Sequence, residues 1–330
     1  MASEGRRIAV TGGAGFVGLN VLERLLTAGH DTVTIDAAEF PTAARNDFAR
    51  LPGSLCELVA DITDPGAVAD AVAGCDAVIH AAAITAGEDR EQYDARRVVE
   101  VNVLGTQTVL DAVTSSESVR RVVYVSSGAV YGDQAFGDKP IDESTPPEPE
   151  TLYAVTKLAG EQLVRRHAAL HATSVAIARL SAVFGPWERD TGVRDSISPM
   201  YLLANAKRSG ARIVAGTYAR RNWLYARDAA AALSSLTLIP DLAHDIYNVT
   251  PEEWFEPMEW AHHLGVELAT ESRNHDAPVV ALPDEIGQSD PRAPVANDRI
   301  RRTLTDWPAF TPEEAFLDYA DWLEDHDAHR

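Results

Sequence analysis

Residues 7–18 read RIAVTGGAGFVG, a short β-rich apolar run that breaks into glycines and resumes as an apolar helical pattern over about 15–28. Gly12, Gly15 and Gly18 recur every third residue at that junction. Glycine there permits a tight turn and lets the backbone approach a ligand, while the first turn of the following helix leaves N–H groups free for an anion. The stretch predicts strand, phosphate-holding turn and helix, with Gly12, Gly15, Phe16, Val17 and Gly18 as candidate ligand contacts. Glycine turns of this kind are common, so what surrounds them has to decide.

Working outward, the next β-rich run, DTVTID, ends in Asp36, 21 residues after Gly15. A carboxylate there accepts both ribose hydroxyls of an adenosine and repels a 2′-phosphate, and Ala37 and Ala38 follow where an arginine would have welcomed one. NAD is therefore favoured over NADP, the alternative being an aspartate that merely ends a strand. Asp61 and Ile62 close a third run, where an adenine edge would lie, and the small Ala81, Ala82 and Ala83 close a fourth, leaving room for a cofactor. Helical patterns lie near 92–115 and 153–170, and strands at RRVVYVSS and TSVAIARL. This alternation predicts an α/β chain, a Rossmann-type doubly wound parallel sheet with a smaller C-terminal substrate-binding lobe.

The rhythm breaks after Leu180: FGPWERDTGVRDSISPM is polar, holds two prolines and has no period, as a functional loop does. A helix near 227–238 and a strand at 245–249 return to the pattern, whereas 268–300 again lacks one. Thr311 and Pro312 open a last helix. The expected division assigns 1–180, with about 221–250, to an NAD-binding domain, and 181–220 with 251–330 to the substrate lobe.

Composition narrows the partners. A net charge of −21 over 330 residues argues against nucleic acid and anionic membranes. The acidic excess, with three lysines among 29 basic residues, suits a salt-rich cytoplasm or a high-GC genome equally. Cys56 and Cys75 are too few for a disulfide framework and have no metal-ligand spacing, so no metal is expected. No run of 18 apolar residues or leader pattern occurs, which reads as a cytoplasmic protein.

One of the three lysines stands in TLYAVTK, residues 151–157, four places after Tyr153. On a helix the two side chains share a face and can act on one bound group. A phenol ionises near pH 10, so a tyrosine acting as base needs nearby positive charge, for which a compact ammonium serves better than a guanidinium fork. Ser126 and Ser127 end the fifth strand, at the sheet edge where ligands bind, and either hydroxyl is placed to bond the oxygen that Tyr153 deprotonates.

Taken in order, TGGAGFVG, Asp36, AAA at 81–83, VNVLGT with Asn102, VSSGAVYG and Tyr153-Ala-Val-Thr-Lys157 resemble the extended short-chain dehydrogenase/reductases, the NAD-dependent sugar epimerase/dehydratase family, over about residues 7–250. The resemblance implies Ser127 as catalytic serine, Tyr153 as base and Lys157 as the residue that binds nicotinamide ribose and tunes the tyrosine. It implies that Asn102 supports the site beside the cofactor. Dehydratases of the family carry an Asp-Glu pair just after the serine and sugar-acid decarboxylases a glutamate, where this chain has Gly128 and Ala129.

That departure leaves a nucleotide-sugar epimerase acting through a transient ketone, or an NAD-dependent dehydrogenase of a free sugar, sugar acid or other small alcohol. A silent NAD-sensing scaffold would be expected to lose Tyr153, Lys157 or Ser127. For substrate, Arg221 matches the family's diphosphate arginine, though it could equally pair with Asp228. Arg189 and Arg194 are candidates for a phosphate or carboxylate, or solvated loop charges. Ala182 stands where many relatives place an asparagine on the substrate phosphate. The resemblance also implies a homodimer through the long helix and the Tyr-Lys helix.

Overall fold

Strands β1 (Arg7–Thr11), β2 (Asp31–Asp36), β3 (Leu55–Val59), β4 (Ala77–His80), β5 (Arg121–Ser127) and β6 (Ser174–Leu180) follow the runs read from sequence. Short strands β7 (Val183–Phe184), β8 (Arg212–Val214) and β9 (Leu224–Tyr225) precede β10 (Ile246–Val249), and β11 (Val279–Ala281) comes last. The computed structural model describes residues 5–171, 173–214, 220–265, 279–281 and 292–327. Seven strands form one parallel sheet in the order β10-β6-β5-β4-β1-β2-β3, and β7–β9 and β8–β11 make two-stranded pairs.

Both faces of the sheet are covered. Helices α1 (Phe16–Thr27), α2 (Thr42–Phe48), α3 (Pro65–Val72), α4 (Glu88–Tyr93), α5 (Ala95–Val99), α6 (Gly105–Ser115), α7 (Leu152–Leu170), α8 (Pro199–Ser209) and α9 (Ala226–Leu238) follow in chain order, with α10 (Pro257–Leu264), α11 (Asp298–Thr303) and α12 (Pro312–Asp327) behind them. Ile8 and Val10 pack toward α1 and α9, and Ala9 toward the α3 and α6 side. With two buried faces, β1 is apolar along its length rather than alternating. A separate aromatic core joins Phe184, Trp223, Phe255, Trp260 and Phe316.

One expectation changes in detail. The long helix expected over 92–115 runs unbroken from Ala95 to Ser115 as α5, a π-turn at Glu100–Leu104 and α6, with α4 set off ahead of it at Asp94. A π-turn accommodates one extra residue and often marks a site. Here it carries Asn102, whose side chain hydrogen-bonds Ile84 in the segment after β4. The irregular stretch expected over 268–300 lies mostly outside the described residues.

Candidate active site

A cavity of about 1500 Å³ opens over the carboxyl edge of the sheet, lined by the glycine turn, Asp36, Ala81–Ala83, Ser127, Tyr153 and Lys157. At its dinucleotide end, Gly12 takes φ +71° and a Cβ there would lie 2.7 Å from Ala82 Cα. A Cβ on Gly18 would fall 2.1 Å from Gly12 O, so these positions admit no side chain. Helix α1 starts after Gly15 without a side-chain cap, leaving its first N–H groups for an anion. Phe16 and Val17 supply two of them.

Asp36 stands at the end of β2 and accepts from Ala14 N at 3.0 Å and Ala38 N at 2.9 Å. Burial pushes its carboxyl up, and those hydrogen bonds and the Arg189 charge work against it. Ile62 and Asp61 line the same end. Burial raises the Asp61 carboxyl, but hydrogen bonds from Thr63 and Arg97 hold it below the usual range. Backbone cradle, strand-end carboxylate and small-residue wall together fit a dinucleotide.

At the reacting end, Thr151 caps α7 by accepting from Ala154 N at 3.2 Å, which sets the helix phase and puts Tyr153 and Lys157 toward the cavity. Burial pushes the Tyr153 phenol up; hydrogen bonding with Ser127 and Thr85 and the charge of Arg194 pull it down. Lys157 is 3% exposed, with Nζ 4.5 Å from the centre of the Tyr124 ring. Desolvation lowers it to about 7, against an upward pull from Glu161. Arg194 thus contributes positive charge at the phenol, while the Lys157 Nζ lies over the Tyr124 ring.

Both serines line the cavity, but their hydroxyls are engaged differently. Ser126 is buried and donates to Glu161 at 2.5 Å, and Glu161 in turn pairs with Arg179 at 2.7 Å. Ser127 faces the cavity beside Tyr153. Asn102 requires a correction as a cofactor contact: it is 2% exposed and does not line the cavity. Its amide donates to Ile84 O at 2.9 Å and Thr156 Oγ1 at 3.0 Å and accepts from Ile84 N at 2.8 Å. It ties the chain after β4 to the Tyr-Lys helix, so its support of the site is indirect.

The arginines divide as well. Arg221 pairs with Phe255 through the backbone and lies 4.8 Å from the Trp223 ring, on the cavity wall. Asp228, its alternative partner by sequence, instead accepts from Ala309 N at 2.7 Å. Arg194 pairs with buried Glu188 at 2.7 Å and sits 4.8 Å from the Phe16 ring. Arg189, offered to the substrate by its place in the loop, donates to Ala14 O in the glycine turn and lies near Asp36. Sequence reading missed Thr85, Glu161, Arg179 and Arg292. Arg292 lines the cavity 4.4 Å from the Phe136 ring, and burial alone brings it down to about 10.

Comparison with known proteins gives this arrangement its family. The model of the NAD dependent epimerase/dehydratase family matches residues 8–250. The chain belongs to that family. It is an NAD-dependent enzyme, and its cofactor is NAD. It is similar to a dTDP-glucose 4,6-dehydratase of Streptomyces niveus, 28% identical over 340 positions covering 98% of this chain and 94% of the relative. It is also similar to the low-salt glycan biosynthesis protein Agl12 of Haloferax volcanii, 31% identical with 73% and 76% covered. Among solved structures, a UDP-glucose-4-epimerase of Stenotrophomonas maltophila with bound NAD and formylated UDP-arabinopyranose superposes with TM-score 0.81 at 22% identity, covering 98% and 100% of the two chains. Among the described residues of the NAD-dependent chain, no helix is long and apolar enough to cross a membrane.

Proposed function

We propose that the chain is a nucleotide-sugar epimerase working through a transient ketone. The observation that carries this reading is the turn after Ser127. Gly128 and Ala129 line the cavity there and bring no carboxylate next to the Ser127–Tyr153 pair, so this turn supplies no second acid or base. Elimination of water calls for a further acid or base. By the family resemblance, dehydratases carry an Asp-Glu pair at that place.

Tyr153 takes the proton of the substrate hydroxyl, Ser127 orients its oxygen, and Lys157 holds the nicotinamide ribose. NAD, when bound, would accept hydride from the carbon bearing that hydroxyl and return it to the ketone carbon. The cavity exceeds the volume of an ordinary single-ligand pocket, up to roughly 1000 Å³, and so suits a second ligand beside the dinucleotide. Arg292, which has no carboxylate partner among the described residues, and Arg221 would receive a diphosphate. One observation favours a second reading, NAD-dependent oxidation of a free sugar, sugar acid or other small alcohol: Ala182 lines the cavity where, by the family resemblance, many nucleotide-sugar enzymes place an asparagine on the substrate phosphate.

We further assign 1–180 with about 221–250 to the NAD-binding unit, and 181–220 with 251–330 to the substrate lobe. The exposed Tyr93, Val99, Leu104 and Val155 support a homodimer through the α4–α6 segment and α7 in the cytoplasm. The deciding experiment offers UDP-, GDP- and dTDP-sugars, free sugars and uronic acids to the enzyme with NAD, following nicotinamide reduction by absorbance and products by NMR. Inverted configuration without net reduction supports the epimerase. Stoichiometric reduction with a free sugar supports the dehydrogenase and ends the epimerase reading.

A further inference from the structure

The segment between β7 and α8 is anchored along the dinucleotide side of the cavity. Asn20 of α1 donates to Pro186 O at 2.8 Å, and Trp187 Nε1 donates to Glu23 of the same helix at 2.9 Å. The Trp187 ring stands edge-on to Phe48 of α2, 5.7 Å away. Farther on, Arg194 covers the Phe16 ring, and residues 193 and 195 hydrogen-bond Thr85 through the backbone. Between these anchors Arg189 turns inward onto Ala14 O and toward Asp36.

Of the five N–H donors of that guanidinium, one has a protein partner among the described residues. Burial disfavours its charge, and the nearest compensation is Asp36, the carboxylate placed for ribose hydroxyls. A half-buried cation with spare donors, on the wall of a cavity beside a helix N-terminus, is a site for an anion.

We infer that Arg189 is a cofactor-binding residue: with the α1 N-terminus it holds the diphosphate of the dinucleotide at its adenosine end, from a segment remote in sequence from the glycine turn. A nucleotide sugar also carries a diphosphate. The contact with Ala14 and the proximity of Asp36 select the dinucleotide as its source. The inference rests on NAD binding in this cavity and is independent of whether the reaction is epimerisation.

The test is calorimetric titration of the full chain, stripped of nucleotide, with NAD, ADP-ribose and UDP, comparing wild type with Arg189→Ala and Arg189→Gln. The glutamine keeps a donor for Ala14 O and removes the charge, and apo melting curves establish that each variant is folded. Both variants are expected to bind NAD and ADP-ribose at least about tenfold more weakly, as for loss of a charge-assisted hydrogen bond, with UDP unchanged. Unaltered NAD and ADP-ribose affinities in either folded variant overturn the inference. A loss confined to UDP would also overturn it and return Arg189 to the substrate. Because binding is read without turnover, a failed epimerase assignment shows itself separately.

Discussion

Replacing Lys157 by methionine is expected to stabilise the nucleotide-free protein while abolishing turnover. The ammonium is 3% exposed, and its folded value of about 7 lies far below the ordinary 10.5. At about 1.4 kcal/mol per pH unit, that gap is a penalty of about 5 kcal/mol for keeping the charged form folded. Methionine retains the apolar stem and loses the contact with the Tyr124 ring, worth about 1–2 kcal/mol, so a net gain of about 3 kcal/mol remains near pH 7. The sign with pH follows from which state holds the proton. Between about 7 and 10.5 the unfolded chain binds more protons at this site than the folded one, so the wild type gains stability as pH rises. The penalty is complete below 7 and absent above 10.5. Denaturant melts of both proteins from pH 6 to pH 10.5 isolate this contribution as their difference. A Lys157→Met variant no more stable than wild type at pH 7, or a difference that does not shrink as pH rises, would refute the reasoning.

Other outcomes test the remaining parts of the site. Tyr153→Phe should lower kcat by about 10²–10⁴ and leave NAD affinity within about threefold, as measured by rapid-mixing kinetics and titration; near-intact turnover would remove Tyr153 as the base. Gly18→Ala places a Cβ 2.1 Å from Gly12 O and is expected to abolish NAD binding, and full retention of that binding by calorimetry would mean the turn relaxes freely. Arg179→Met strands the buried Glu161 carboxylate and should cost about 3–5 kcal/mol in urea melts, most of it restored by adding Glu161→Leu; no loss in the single variant would show that the pair is idle. With a net charge of −21, the melting temperature should climb with added KCl as self-repulsion is screened, and a flat profile would count against that repulsion.

What sequence made legible was what short-range chemistry determines. A glycine turn between strand and helix, an aspartate at the next strand end, and tyrosine and lysine four apart each keep their meaning wherever the rest of the chain goes. The parallel sheet followed from alternation alone, since strands buried on both faces have to read as they do. Residue chemistry left Ser126 and Ser127 open and the family resemblance named Ser127; adjacent strand residues point to opposite faces, and the position of Glu161 shows that the Ser126 hydroxyl is committed elsewhere. Asn102 was offered to the cofactor, whereas its side chain is spent on Ile84, which reaches it through backbone atoms that carry no sequence signal.

The arginines mark where residue-by-residue reading stops. Arg189 and Arg194 sit five apart in one polar loop, and by sequence each reads as a candidate for a phosphate or carboxylate or as a solvated loop charge. The loop's path redistributes them, and that path depends on Asn20 and Glu23, ordinary polar residues of α1 whose hydrogen bonds to Pro186 and Trp187 hold the chain against the dinucleotide side. Trp187 itself takes φ +66°, a conformation that costs a bulky residue energy and is maintained by its packing between Phe48 and Trp322. The same loop then brings the Arg194 charge to Tyr153 and the Arg189 donors to the glycine turn. A segment that touches both ends of one cavity makes cofactor seating and the electrostatics of the base mutually dependent. Weakening the Trp187 anchor should therefore disturb NAD affinity and Tyr153 together, although Trp187 lines neither site.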